Sequence, residues 1–165
     1  MRKLLFVLIF LLPLVAVAKK PKNLRLIMKE PVTNQECKFS DNGVTIYFEW
    51  SEYKNYGITL IVKNETKERI YIEWSNARIE DEPICFGNDN SFTYLNSKPD
   101  EVIHAGSTCE RFITRQSEFE TEGREFFYLS YLKKYNTAGS RSVIIPIKRG
   151  SDTKDYRFML GVVGE

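Results

Sequence analysis

The chain has 165 residues, a length that fits one domain. Its 24 Lys and Arg exceed its 22 Asp and Glu by two, and both extra charges, Arg2 and Lys3, lie at the extreme N-terminus, so residues 19–165 are electrically balanced. That balance gives no support to a nucleic-acid partner, whose affinity rests on excess Lys and Arg, and 11 Phe, 9 Tyr and 2 Trp exclude a disordered tail.

Met1-Arg2-Lys3 is a short positive region, followed from Leu4 to Leu14 by an apolar run that only Pro13 interrupts. Val15-Ala16-Val17-Ala18 then places small residues at the −3 and −1 positions of a secretory cleavage site. A membrane-spanning helix needs about 20 apolar residues, and this run stops short at Lys19-Lys20. Residues 1–18 are therefore predicted to be a signal peptide cleaved after Ala18, giving a secreted or periplasmic product with no membrane span. Residues 19–23 form a basic lead-in, and residues 24–165 are expected to be one domain.

Leu24 to Met28 is predicted to form a first strand. Lys29 to Gly43 is polar and ends in Asp41-Asn42-Gly43, a turn signal. Val44 to Phe48 alternates with period two, as a half-buried strand does, and Ile58, Leu60 and Val62 repeat the pattern. Asn64 to Arg69 is a short polar connection before Ile70, Ile72 and Trp74, so 58–62 and 70–74 are expected to pair as a β-hairpin. A second hairpin is expected for Pro83–Phe86 with Phe92–Leu95. Glu101–His104 leads through the tight turn Ala105-Gly106-Ser107 into a strand over Thr108–Thr114. Val143–Ile147 and Tyr156–Val163 form the closing hairpin, with Pro146 confined to an edge or a bulge because it cannot donate to a ladder. Residues 124–135 fit either a helix or a strand, and their aromatic richness favours the strand. About 7–9 short strands with turn residues between them point to an all-β sandwich or barrel.

Cys37, Cys85 and Cys109 all lie in the part expected to be exported, where a disulfide is permitted but three thiols cannot all pair. Three single bridges are open. The strand-like settings of Cys85 and Cys109 favour that pair, with Cys37 left over, and three packed, unpaired thiols are the alternative. His104 is the only base of its kind for a catalytic thiol, and neither residue lies in a nucleophile signature.

Trp50 is the candidate ligand-binding residue, since an exposed indole offers a flat apolar face with an N–H donor. Trp74 shares the phase of Ile70 and Ile72 and is assigned to the core. Glu80-Asp81-Glu82 with Asn88-Asp89-Asn90 gathers oxygens of the kind calcium takes, but the spacing matches no calcium loop and a solvated acidic loop is the better reading. Asn64-Glu65-Thr66 is an acceptor triplet for N-glycosylation, though Asn64 also suits a turn. No Gly-x-Ser-x-Gly, P-loop or His-Glu-x-x-His occurs, so no catalytic residue, metal or cofactor is assigned.

Ile58 to Ile79 (ITLIVKNETKERIYIEWSNARI), Val102 to Ser107 (VIHAGS) and the ending Ile144–Ile147 with Asp155–Phe158 resemble small exported bacterial proteins of unknown function with an immunoglobulin-like sandwich. The resemblance covers about two thirds of the chain. It implies an immunoglobulin-like antiparallel β-sandwich outside the cytoplasm and carries no functional residue across. The expected function is a non-enzymatic binding or interaction module for an unidentified protein or glycan. The alternatives are a small hydrolase acting on polysaccharide or cell-wall material through paired carboxylates, and a structural subunit of a surface assembly that pairs through a sheet edge.

Overall fold

The computed structural model describes residues 24–32, 37–50, 55–88, 91–93, 99–117, 125–128 and 139–164. The leader, its cleavage site after Ala18 and the lead-in lie outside the described residues, as does most of 124–135. Within that segment the described residues 125–128 form a bend in which adjacent Phe126 and Phe127 are both buried, which the alternation of a strand does not allow.

Among the described residues the protein is all-β, with β1 (Leu24–Glu30), β2 (Lys38–Asp41), β3 (Val44–Glu49), β4 (Ile58–Asn64), β5 (Ile70–Ile72), β6 (Arg78–Ile79), β7 (Glu82–Asn88), β8 (Ser91–Thr93), β9 (Glu101–Ile103), β10 (Thr108–Arg115), β11 (Ser140–Arg149) and β12 (Asp152–Gly164). Twelve strands stand where about 7–9 were expected. The surplus consists of pieces such as β2, in a stretch read as polar connection, and the two-residue β6, both too short for a period to show.

Every pairing is antiparallel, and one path runs β1-β12-β11-β6-β7-β10-β4-β3-β2. β5 joins it at β11 and carries β9, and β8 pairs with β7. The path curls round its own core into a nearly closed, barrel-like sheet. Val44, Ile46 and Phe48 of β3 point inward, as do Tyr156, Phe158, Leu160 and Val162 of β12. Near its two ends the path meets side chain to side chain: the ring of Phe158 on β12, next to the end strand β1, lies edge-on to Phe48 of β3 at 5.1 Å and to Phe39 of the other end strand, β2, at 5.9 Å.

The hairpin expected from 58–62 and 70–74 does not form. β4 pairs with β3 and β10, whereas β5 pairs with β11 and β9, so residues 65–69 arch from one group of strands to another. All six apolar residues still face the core, since an arch and a hairpin place the same alternating residues inside. β9 and β10 are separated by a second arch at the same end. The closing hairpin β11–β12 and the hairpin β7–β8 are present as expected.

β11 is an interior strand, so of the edge or bulge expected at Pro146 the edge does not hold and an interruption of the pairing takes its place. β11 pairs with β5 at Ile147 and beyond, and with β6 at Ile144 and before, leaving a break opposite Pro146. The Pro146 carbonyl accepts from Glu73 N at 3.1 Å, so its missing N–H faces that same break. No helix among the described residues is long and apolar enough to cross a membrane.

Candidate functional site

The inward-facing rows of the strands run out of the core at one end and change character there. On β12 the inward set Leu160, Phe158 and Tyr156 continues into Lys154 and Asp152, and on β11 the set Ile145 and Ile147 continues into Arg149. Inward Phe39 of β2 is likewise followed by Asp41. Three connections converge on this mouth: the β2–β3 turn, the β4–β5 arch and the β11–β12 turn. The first is a two-residue turn with φ of 46° at Asn42 and 80° at Gly43, the pattern that Asn-Gly favours.

Together they enclose a cleft of about 790 Å³. Val44, Ile147 and the Tyr156 ring form its base, while Asp41, Glu68, Arg149, Asp152 and Lys154 form its rim. Asp41 Oδ2 accepts from Lys154 Nζ at 2.9 Å and from Tyr156 OH at 3.1 Å. The bond from Lys154 holds the Asp41 carboxyl below its ordinary range. Burial pushes the Tyr156 phenol up to about 12, and its bond to Asp41 acts in the same direction. Arg149 is more loosely held, with Nε 3.5 Å from Glu68 Oε2 and a guanidinium N–H 3.4 Å from the Asn42 carbonyl. A second groove of about 520 Å³ crosses the outward face of β2, β3 and β4, where Ser40, Thr45, Glu65 and Lys63 are hydrogen-bonded to one another.

The opposite end is closed by an ionic cluster. Arg141, 6% exposed, donates to both Glu80 oxygens at 3.0 and 3.1 Å and to the Phe126 carbonyl at 2.7 Å. Arg115 also bonds Glu80 and lies 3.6 Å from Glu82. Burial works to raise the Glu82 carboxyl, but two hydrogen bonds from Ser117 and the nearby arginines prevail and leave it below its ordinary value. Arg141 also stacks 4.9 Å from the Tyr128 ring centre and, by hydrogen bonding, lowers the Tyr128 phenol.

A third polar group lies at the border of the core, where Trp74 is buried and Glu101 and Arg111 are partly exposed. Trp74 Nε1 donates to Glu101 Oε2 at 3.0 Å, and Arg111 bonds the other Glu101 oxygen. Burial, then the charge of Glu101, pushes the Cys109 thiol up to about 12, while burial raises that of Cys37 to about 11. Thiols held in the protonated form are poor nucleophiles. His104 is exposed at the turn after β9, whereas all three cysteines are buried.

Several sequence-based candidates take other roles. Trp50 is half-buried, with Nε1 donating to Asn55 Oδ1 at 2.9 Å and its ring edge-on to Phe127 at 5.8 Å. Its N–H is thus bonded within the protein and its ring packs partly against the core. The favoured bridge between Cys85 and Cys109 is not formed, and Cys37, Cys85 and Cys109 are buried thiols. The register explains this: Cys85 stands opposite Thr114, five residues along β10 from Cys109. That offset is about 16 Å along a strand and puts the two side chains on opposite faces.

Glu80 and Glu82 are not a solvated acidic loop, because they neutralise Arg115 and Arg141. Asn64 is fully buried, so the folded chain offers no glycan acceptor there. Trp74 is core, as its phase predicts. The cleft residues went unrecognised in the sequence because both turns read only as turns. The usable signal was the inward phase of β12 continuing past Tyr156 into Lys154 and Asp152. No protein-family profile, curated protein or solved structure matches this chain.

Proposed function

We propose that this protein is an exported, non-enzymatic binding module built on an immunoglobulin-like antiparallel sandwich, with its ligand site in the cleft at the mouth of the strands. The observation that carries this reading is the cleft itself, which combines an apolar base with a rim of donors and acceptors on three converging connections. Clefts of this size at the mouth of a β structure are where small ligands are commonly held. Loops at one end of a sandwich are also a recurrent recognition surface.

The finer reading of the fold rests on β7, which pairs with β6 at its start and with β10 further on, and on the two arches that connect separate strand groups. Export rests on the charged and apolar leader with its Ala16-Val17-Ala18 site. A hydrolase would need a carboxylic acid that keeps its proton, and Lys154 biases Asp41 the other way. The site is tested by amide-resonance mapping of isotopically labelled mature chain against monosaccharides, amino acids, short peptides and inorganic phosphate. Perturbations should concentrate at residues 41–44, 68 and 147–156. Perturbations absent from those residues for every probe would overturn the site.

A further inference from the structure

The ligand class can be read from how the rim charges are arranged, an inference that rests on the cleft being the binding site. We infer that the cleft takes a neutral saccharide, held by its hydroxyl groups.

The rim offers two cations, Arg149 and Lys154, and three carboxylates, Asp41, Glu68 and Asp152. These are interleaved. Lys154 sits on Asp41 at 2.9 Å, Arg149 faces Glu68 at 3.5 Å, and Asp152 lies directly across the β11–β12 turn from Arg149. An anionic ligand near either cation therefore meets a carboxylate, and a cationic ligand meets Arg149 or Lys154. Neither gains a uniform field, so net charge is not what the cleft selects.

A sugar hydroxyl donates one hydrogen bond and accepts others, so it is satisfied wherever a donor and an acceptor stand side by side. The pairs Arg149 with Glu68 and Lys154 with Asp41 provide that arrangement twice. The 3.4–3.5 Å contacts of Arg149 are long enough for a hydroxyl to replace them without loss of a strong bond. Glu68, Lys154 and Arg149 are open to solvent, with side chains 63%, 59% and 46% exposed, whereas Asp41 is 25% exposed. At the base, Val44 and Ile147, each 3% exposed, give the C–H face of a ring a small apolar floor. The Tyr156 ring is partly covered by Lys154, whose Nζ is 5.2 Å from its centre, so flat stacking on an aromatic is not the mode of recognition.

The test is a titration of the full mature chain with neutral mono- and disaccharides, with single amino acids, short peptides and inorganic phosphate as parallel probes. A neutral saccharide should shift the resonances of residues 41–44, 68 and 147–156. Arg149→Ala and Glu68→Ala should each weaken that binding roughly tenfold, as loss of a charge-assisted hydrogen bond does. Lys38→Ala, in the outward groove, should leave it unchanged. Neither of the first two variants removes a buried group, so thermal unfolding close to the parent is the control for folding. If amino acids, peptides or phosphate shift the cleft and no saccharide does, the saccharide inference falls while the site stands. Saccharide shifts centred on Lys38, Thr45 and Glu65 would also overturn it. If no probe shifts the cleft, the binding site itself is wrong.

Discussion

The side-chain amide of Asn64 donates to the carbonyl of Ile103 at 3.0 Å, joining the last residue of β4 to the last residue of β9. Each residue is where its chain leaves one strand group for another, so the bond ties the two arches together. The same amide donates to Glu68 O at 2.7 Å, and Asn64 Oδ1 accepts from Thr66 N and Thr66 Oγ1 at 3.0 and 2.7 Å. Backbone bonds from Asn64 N to Ser107 O and from Gly106 N to Asn64 O complete the clamp.

Removing that side chain strands buried partners, each worth about 1–3 kcal/mol when left unsatisfied. Asn64→Ala should therefore lower the unfolding free energy by about 3 kcal/mol. Asn64→Asp should be at least as damaging, because it turns an acceptor toward the Ile103 and Glu68 carbonyls. Urea titration of both variants measures this. A change within roughly 0.5 kcal/mol for Asn64→Ala would show that the arches hold without the clamp.

Trp74 gives a second, independent test of the core. It is 1% exposed, and its indole N–H is bonded to Glu101. Truncation to Ala should cost about 3–5 kcal/mol. Trp74→Phe should cost less, since it keeps most of the buried ring and leaves Glu101 its bond from Arg111. Glu73→Ala removes only long contacts, at 3.3 Å from Thr153 and 3.5 Å from Asn76, and should change the denaturation midpoint little. Equal midpoints for Trp74→Ala and the parent would refute the core assignment.

Which residues face inward was legible from period two alone: Val44, Ile46, Phe48, Ile58, Leu60, Val62, Ile70, Ile72 and Trp74 are all buried. Which strand pairs with which was not. An alternating strand followed by five polar residues and another alternating strand fits a hairpin within one sheet and an arch across the core equally well, because both bury the same side chains. The choice is made by long-range pairing of β5 with β11 and β9, which local sequence does not carry. The ionic end of the molecule was hidden for a related reason. Arg115 and Arg141 lie just beyond the strands read from apolar residues over 108–114 and 143–147, and only the register brings them to Glu80.

The buried thiols predict a chemical and a pH signature. Burial raises Cys109 to about 12 and Cys37 to about 11 from an ordinary value of 9.0. The native chain should therefore react slowly with a thiol-specific disulfide reagent at pH 8, and three thiols should react promptly once it is unfolded. The sign of the pH effect follows from the raised values. Below the ordinary thiol pKa both states keep the proton and the stabilisation is complete. Above it the unfolded chain loses protons that the folded chain retains, so stability falls as pH rises from about 9 toward 12. Cys109→Ala should flatten that alkaline limb, which denaturant titration at a series of pH values reads directly. An alkaline limb unchanged by the substitution would contradict it.

Glu80 combines two opposing demands, and its variants can separate them. Its backbone has φ of 56°, in the left-handed region that suits Gly, while its carboxylate bridges two buried arginines. The side chain thus holds an unfavourable backbone in place. Glu80→Ala keeps the strained φ and leaves Arg115 and Arg141 without their shared partner. Breaking a buried pair costs about 3–5 kcal/mol, but the Glu80 side chain is 35% exposed, so about 2–3 kcal/mol is expected. Glu80→Gly loses the same ion pairs but relieves the left-handed strain, which is worth about 1 kcal/mol, so it should be more stable than Glu80→Ala. In an ordinary turn with negative φ the order would be reversed, because Gly gains more conformational entropy on unfolding. Glu80→Gln keeps the acceptor oxygen and loses the charge, and should fall between the parent and Glu80→Ala. Unfolding of the three variants in urea at pH 7 gives the order. Glu80→Gly less stable than Glu80→Ala would refute the strain, and all three equal to the parent would refute the role of the ion pairs.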